Sequence, residues 1–266
     1  MLTFEASQFV KFLPSGQTKP ALFAIGGDRW VFRYPVGGRQ QLGLASEYMG
    51  YRIASWLSVA VPLFCLARIP HTFQADDSSM VRAGVGTATR WIADATYPNL
   101  ETDDLGPYWG EDKYLSATAA ARVADTWMMN YDRRKVGNVA VQGGPDSPAV
   151  YFLDFDQAFL AKWPPRPHWI APGFTKGMLE DRELLSGFTG QGQVNSERAQ
   201  RPEHFDACVQ RLRSVTEEEV EQAVRAIPDE WGVSESDRLV WAERLLTRRE
   251  IVLQTLKAHG LTGGCS

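Results

Sequence analysis

Two polar clusters in the middle of this 266-residue chain combine residue types that can hold a cation and move a proton. The first is Asn130-Tyr131-Asp132-Arg133-Arg134-Lys135-Val136-Gly137-Asn138. The second is Leu153-Asp154-Phe155-Asp156. Between them run the apolar stretches Val139 to Gln142 and Ala149 to Leu153, joined by Gly143-Gly144-Pro145-Asp146-Ser147-Pro148, which reads as strand, turn and strand. A hairpin returns the chain to its start, so Asn138 and Asp154 are expected side by side. An amide oxygen and a carboxylate there can coordinate a hard cation such as magnesium. Asp132 then lies near a metal-bound phosphate and can accept a hydroxyl proton. Taken singly, each carboxylate reads more readily as a solvated turn or strand end than as a chemical group. The chemical reading comes from their order around one hairpin, and from Asp154 following an apolar run, where an acid needs a partner or an ion. Asp156 either recruits a second metal or faces solvent.

The flanking elements must position these groups. In the first third, Gln8 to Leu13, Ala21 to Ile25 and Trp30 to Tyr34 read as strands, with Pro14-Ser15-Gly16-Gln17 and Gly26-Gly27-Asp28 as turns. The pattern turns helical from Leu42 to Leu57, with Met49, Ile53 and Trp56 or Leu57 on one stripe and Glu47, Tyr51 and Ala54 on another. Pro62 ends this unit, and Leu63 to Ile69 is again strand-like. Arg33 on a strand and Glu47 on the next helix can form an ion pair that positions nucleotide phosphates; alone, they read as surface charges. Asp94 to Lys113 is polar and turn-rich. Ser116 is placed to cap a helix to about Met129, with Ala120, Val123 and Trp127 inward. Thr216-Glu217-Glu218-Glu219 is a capping box for a helix to Ala226, stopped by Pro228. A longer helix spans about Ser236 to Ala258, with Leu239, Ala242, Leu245 or Leu246, Val252, Leu253 and Leu256 inward and Gly260 at its C-cap. The expected fold class is α+β, with a β-rich lobe over residues 1–90 and a mostly helical lobe over 91–266.

Composition narrows the partners. Basic residues number 28 against 32 acidic ones, a net charge of −4 that gives no footprint for nucleic acid. No apolar run is long enough to span a membrane, and the start of the chain lacks the pattern of a secretory signal. Cys65, Cys208 and Cys265 are odd in number and far apart, which fits a reducing, cytoplasmic setting better than a disulfide framework. The scattered histidines show no metal-ligand spacing.

Several segments resemble the HipA-like kinases, a branch of the bilobal protein-kinase-like fold. RWVFRYP resembles the strand that carries the phosphate-binding cation. SEYMGYRIASWLSVAVP resembles the helix with its paired acid. ADTWMMNYDRRKVGN, with Asp125, Asn130 and the Asp-Arg pair, resembles the catalytic loop and its preceding helix. YFLDFDQAF resembles the metal-binding strand end, and IPDEW and ERLLTRREIVL resemble the terminal helices. The resemblance implies ATP and magnesium as cofactors, Asp132 as catalytic base, and Asn138 and Asp154 as metal ligands, with Asp156 added to the metal set. It also implies Glu47 as the acid on the first helix and the turn from Ser15 to Lys19 as a phosphate-covering loop. Thr87 to Trp91 would cross between the lobes, so that Thr89 and Trp91 border the adenine. The stretch Trp163-Pro164-Pro165-Arg166-Pro167-His168-Trp169 follows the metal motif, where a substrate loop would lie; a rigid surface loop is the other reading.

Two positions depart from the pattern. The phosphate-binding cation is usually lysine, whereas Arg33 stands here; either the site accepts its wider fork or Lys19 substitutes. Asp132 and Asn138 are six positions apart where five are usual. Three readings follow: a phosphotransferase acting on a protein serine or threonine or on a small-molecule hydroxyl, a pseudokinase-type nucleotide-binding or protein-interaction module, and a nucleotidyl transferase.

Overall fold

The aromatic and β-branched residues of the first third build a single sheet. Its strands are β1 (Leu2–Thr3), β2 (Phe9–Phe12), β3 (Ala21–Ile25), β4 (Asp28–Arg33), β5 (Phe64–Ile69) and β8 (Gly84–Arg90), in the spatial order β1-β5-β8-β4-β3-β2. Strands β6 (Phe73–Gln74) and β7 (Met80–Val81) form a separate ribbon. The computed structural model describes residues 1–13, 19–34, 39–75, 79–98, 112–130, 133, 136–143, 149–156, 158, 201–258 and 260–262, with the backbone alone at 39–42 and 112–115. Strands β3 and β4 meet at Gly26 and Gly27, whose φ of 58° and 88° are what a tight two-residue hairpin demands and glycine supplies without strain. One sheet face carries an aromatic cluster in which Phe4, Phe23 and Phe32 contact one another edge-on or stacked.

Strand β8 is the central strand that matters most for the site. It pairs antiparallel with β4, setting Arg33 opposite Thr87, and with β5 on its other edge. Gly86 leaves no room for a side chain: a Cβ there would fall 2.0 Å from the Arg33 carbonyl oxygen.

Helix α1 (Arg39–Trp56) lies between β4 and β5 in the chain. Both stripes expected on it are inward, since Glu47, Met49, Tyr51, Ile53 and Ala54 are all buried. It belongs to the larger of two cores, together with α2 (Asp112–Met128), the hairpin β9 (Val139–Gln142) and β10 (Ala149–Phe152), and the terminal helices α3 (Pro202–Ser214), α4 (Glu217–Arg225) and α5 (Glu235–Ala258). The connection after α1 also joins this body, for the Phe152 N–H donates to the Ala60 carbonyl at 2.8 Å.

Helix ends follow local rules. Thr216 and Glu219 make the reciprocal capping box at the start of α4. Helix α5 closes in a Schellman arrangement: the Leu261 N–H donates to Leu256 and the Gly260 N–H to Lys257, with Gly260 at φ 67°. Two expectations are corrected. Helix α2 begins at Asp112, so Ser116 lies inside it and not at its cap; its Oγ instead sits 3.4 Å from His204 Nδ1 on α3. Leu239 is 59% exposed. The first turn of α5 is oriented by the neighbouring Arg238, whose guanidinium donates to the Arg225 and Val233 carbonyls and to Asp229, and this turns Leu239 outward. Among the described residues, no helix is long and apolar enough to cross a membrane.

The short 3-10 turn Asp229–Trp231 between α4 and α5 reaches back to the sheet. Trp231 Nε1 donates to the Val85 carbonyl at 2.8 Å, while Glu230 accepts from the Val85 N–H at 2.9 Å and from Arg68 at 2.7 Å. The chain downstream of the hairpin thus grips β8 two residues before Thr87.

Gly50 is where α1 meets the segment after β10. A Cβ on it would lie 2.3 Å from the Phe155 Cβ. Gly50→Ala is therefore expected to force the two elements apart and to lower stability by about 1–3 kcal/mol, an overpacking cost measurable by urea denaturation.

Candidate functional site

The hairpin register pairs Val139 with Phe152, and the Leu153 N–H donates to the Asn138 carbonyl at 2.9 Å. Asn138 and Asp154 are thereby brought to the same end of the hairpin. Asn138 is buried. Asp154 adopts φ 56°, a left-handed conformation that aspartate tolerates better than most side chains and that ends the strand.

Arg133 holds this end together. It is 2% exposed. Its Nε and Nη2 donate to the two oxygens of Asp125 at 3.0 and 2.9 Å, and its Nη1 donates to the carbonyls of Asn138 at 2.8 Å and Leu153 at 2.5 Å. Asn130 adds a hydrogen bond to Asp125 Oδ1 at 2.9 Å. The guanidinium also lies over the ring of Phe155, 4.8 Å from its centroid, a contact that strengthens when desolvated. Tyr51 of α1 meets the same ring edge-on at 5.0 Å. Phe155 is thus gripped between α1 and the arginine of the polar loop.

On either side of Phe155 the acids turn to Arg33. Asp154 receives a two-pronged pair, Nη1 to Oδ1 at 3.1 Å and Nη2 to Oδ2 at 3.0 Å. Asp156 Oδ2 lies 3.2 Å from Nη1. Glu47 lies 3.5 Å from Nε. Its other oxygen accepts the Thr87 hydroxyl at 3.1 Å. Arg33 and Thr87 are cross-strand partners, so their side chains share a face and converge on one carboxylate.

Charge and burial set the protonation of this cluster. Burial first, and the neighbouring Asp154 and Asp156, push the Glu47 carboxyl up to about 7, against the opposite pull of Arg33 and the Thr87 hydroxyl. Burial also raises Asp154, but the charge and hydrogen bond of Arg33 outweigh it and bring that carboxyl down to about 2. For Arg33, burial alone would lower it, yet Asp154, Glu47 and Asp156 hold it well above its ordinary range.

The remaining expected residues lie as follows. Asp132 is outside the described residues, although Asn130 and Arg133 on either side of it are within them. The same holds for Ser15 to Thr18 and for the Trp163–Trp169 stretch. Lys19 is exposed ahead of β3 with φ 40°, and it is Arg33, not Lys19, that makes the ion pairs to Glu47 and the two aspartates. Thr89 lies on the face of β8 that Thr87 shares, near its end, and the Trp91 N–H donates to the Arg29 carbonyl at 2.8 Å; both side chains are half-buried. Thr87 as a partner of Glu47 was not legible from residue types. Its period-2 relation to Thr89 does not single it out, because β8 is buried on both faces.

No protein-family model matches the chain, and no curated protein does. Among solved structures, that of the Helicobacter pylori proinflammatory kinase CtkA is similar, with a TM-score of 0.54 at 12% identity over 97% of this chain and 98% of that one. The chain has a kinase-like fold. In that fold a β-rich N-terminal region and a helical C-terminal region stand on either side of the Arg33 cluster.

The Glu47 shift has a signed consequence. The unfolded chain gives up this proton near the ordinary 4.5 and the folded chain near about 7. The stability it contributes is full below 4.5 and is lost as the pH rises toward 7. Asp154 acts oppositely: its contribution is present above 3.8 and lost as the pH falls toward 2. Glu47→Gln still offers an acceptor to Thr87 and cannot titrate. Urea denaturation at about pH 5 and about pH 8 is expected to show wild type losing on the order of 1–3 kcal/mol more than the variant between the two.

Proposed function

We propose that this protein is an ATP-dependent phosphotransferase of the HipA-like kind. The observation that carries the reading is the convergence of Arg33, Glu47, Asp154 and Asp156 on one point in a kinase-like fold. A strand cation, a helix acid and the acids of a strand end are the parts that phosphoryl transfer requires.

Asp154, Asp156 and Asn138 carry hard oxygens, the donor chemistry that a divalent cation takes. Asp154 and Asp156 already gather hard oxygens around one positive charge, with the Arg33 guanidinium standing where a cation would be. Asp154, Asp156 and Asn138 are the residues that would hold magnesium, which supplies neutralisation of the β and γ phosphates. Arg33 binds phosphate oxygens through its outer nitrogens, and Glu47, tethered by Thr87, orients it. Thr89 and Trp91 border the base. Asp132 orients the acceptor hydroxyl and takes its proton. As the acceptor oxygen bonds to the γ phosphorus, the bond from that phosphorus to the bridging oxygen breaks and ADP leaves with the electron pair. The likeness to HipA-like kinases favours a protein serine or threonine as acceptor, in a cytoplasmic setting.

A nucleotide-binding module that transfers nothing is the second reading. The engagement of both aspartates by Arg33 is the observation in its favour.

Incubation with ATP, magnesium and a cell lysate, read by mass spectrometry, is expected to show phosphoryl additions and no nucleotidyl ones. Asp132→Asn is expected to lower the rate by at least ~100-fold while ATP still raises the melting temperature. Full transfer by that variant would refute the assigned base. Thermal stabilisation by ATP that does not depend on Asp154 would favour the second reading.

A further inference from the structure

We infer that Arg33 is the resident counter-ion of the aspartate pair, and that it makes the pair selective for a metal–polyphosphate complex over the free metal ion. The inference rests on the phosphotransferase reading for the identity of that complex, but its physical content concerns Arg33 and two acids.

Three features carry it. An arginine keeps its charge at every pH the fold survives, so the pair cannot be relieved by proton loss. Its fork takes up both oxygens of Asp154, at 3.1 and 3.0 Å, and Nη1 is shared with Asp156 at 3.2 Å. A lysine carries its donors on a single nitrogen and cannot match the two parallel bonds to Asp154. A divalent cation approaching alone must therefore enter beside a fixed positive charge and compete for oxygens already bonded. Thirdly, Arg33 has somewhere to pivot. Its inner Nε faces Glu47, and Glu47 is itself anchored by the Thr87 hydroxyl. A polyphosphate can draw the outer nitrogens away from the aspartates while Nε stays with Glu47. The same ligand thus frees the acids and supplies the remaining oxygens that a bound metal needs.

The order of binding follows. Polyphosphate and metal enter together, or the polyphosphate first; the complex of protein with metal alone is the weaker one.

Manganese tests this, because electron paramagnetic resonance reads the free aquo ion directly and requires no turnover. The full chain is titrated with Mn²⁺ alone and with Mn²⁺ plus the non-hydrolysable triphosphate AMP-PNP. Wild type is expected to bind Mn²⁺ at least ~10-fold more tightly with AMP-PNP than without. Arg33→Met is expected to bind Mn²⁺ alone at least ~10-fold more tightly than wild type does, because the acids lose their competitor. That gain is expected to vanish in Arg33→Met/Asp154→Asn. Arg33→Lys, which retains a charge to protect the buried acids, is expected to fall between and serves if the methionine variant fails to fold. Equal binding of Mn²⁺ alone by wild type and both Arg33 variants overturns the inference, as does a gain that survives loss of Asp154. If AMP-PNP has no effect on any chain while the Arg33 variants still gain Mn²⁺ binding, the phosphotransferase reading and the selectivity for a metal–polyphosphate complex both fail, and Arg33 is left as the counter-ion of the aspartate pair alone.

Discussion

A guanidinium that cannot discharge, placed where water cannot reach it, dictates the geometry of everything around it. Arg133 is that group. At 2% exposure it needs acceptors for its donors, and the fold brings them from the end of α2, from the loop at Asn138 and from the strand end at Leu153. Breaking such a buried pair from one side costs about 3–5 kcal/mol, since it strands the opposite charge. The polar loop, the hairpin and the helix before them therefore behave as one unit. Two of the residues singled out for chemistry in that region adjoin an atom Arg133 holds: the Asn138 carbonyl accepts from it, and Asp154 follows Leu153.

A second arginine does the converse at the other side of Phe155. Arg133 fixes elements within the helical body, whereas Arg33 joins the sheet to it. The tripeptide Asp154-Phe155-Asp156 divides its side chains between them, the ring going to Arg133 and Tyr51, the carboxylates to Arg33. The left-handed turn at Asp154 permits that division. Glu47 is left less compensated than Asp154. It is buried and at 3.5 Å from the guanidinium, which is why its proton is held up to about 7 while that of Asp154 is not.

Much of this was readable because the signals were local. The capping box at Thr216, the Gly26-Gly27 turn, the glycine closing α5 and the Val139–Leu153 hairpin each depend on a few adjacent residues, and each stands where the residue types put it. The pairing of Arg33 with Glu47 was legible only as one option among surface charges, because its deciding partners are more than a hundred positions away at Asp154 and Asp156. Thr87 could not be picked out, since β8 is covered on both faces and period 2 then distinguishes nothing. Leu239 misled for a related reason: helical periodicity identifies an apolar side chain, but a buried Arg238 with carbonyl acceptors decided which way the first turn of α5 faces. Ser116 misled because a capping residue type also occurs inside helices, and the start of α2 lies in a polar stretch with no apolar periodicity to mark it.

The grip of Glu230 and Trp231 on Val85 bears on where Arg33 stands. The 3-10 turn takes up both the N–H and the carbonyl of Val85, near the start of β8, and Glu230 adds Arg68 of the neighbouring strand. The same strand, two residues on, sets Thr87 opposite Arg33. The terminal part of the chain, remote in sequence from the polar cluster, therefore supplies the reference against which the strand cation is registered, and a loss of the Trp231 anchor would be felt at Arg33 through the sheet ladder and not through any contact with the acids.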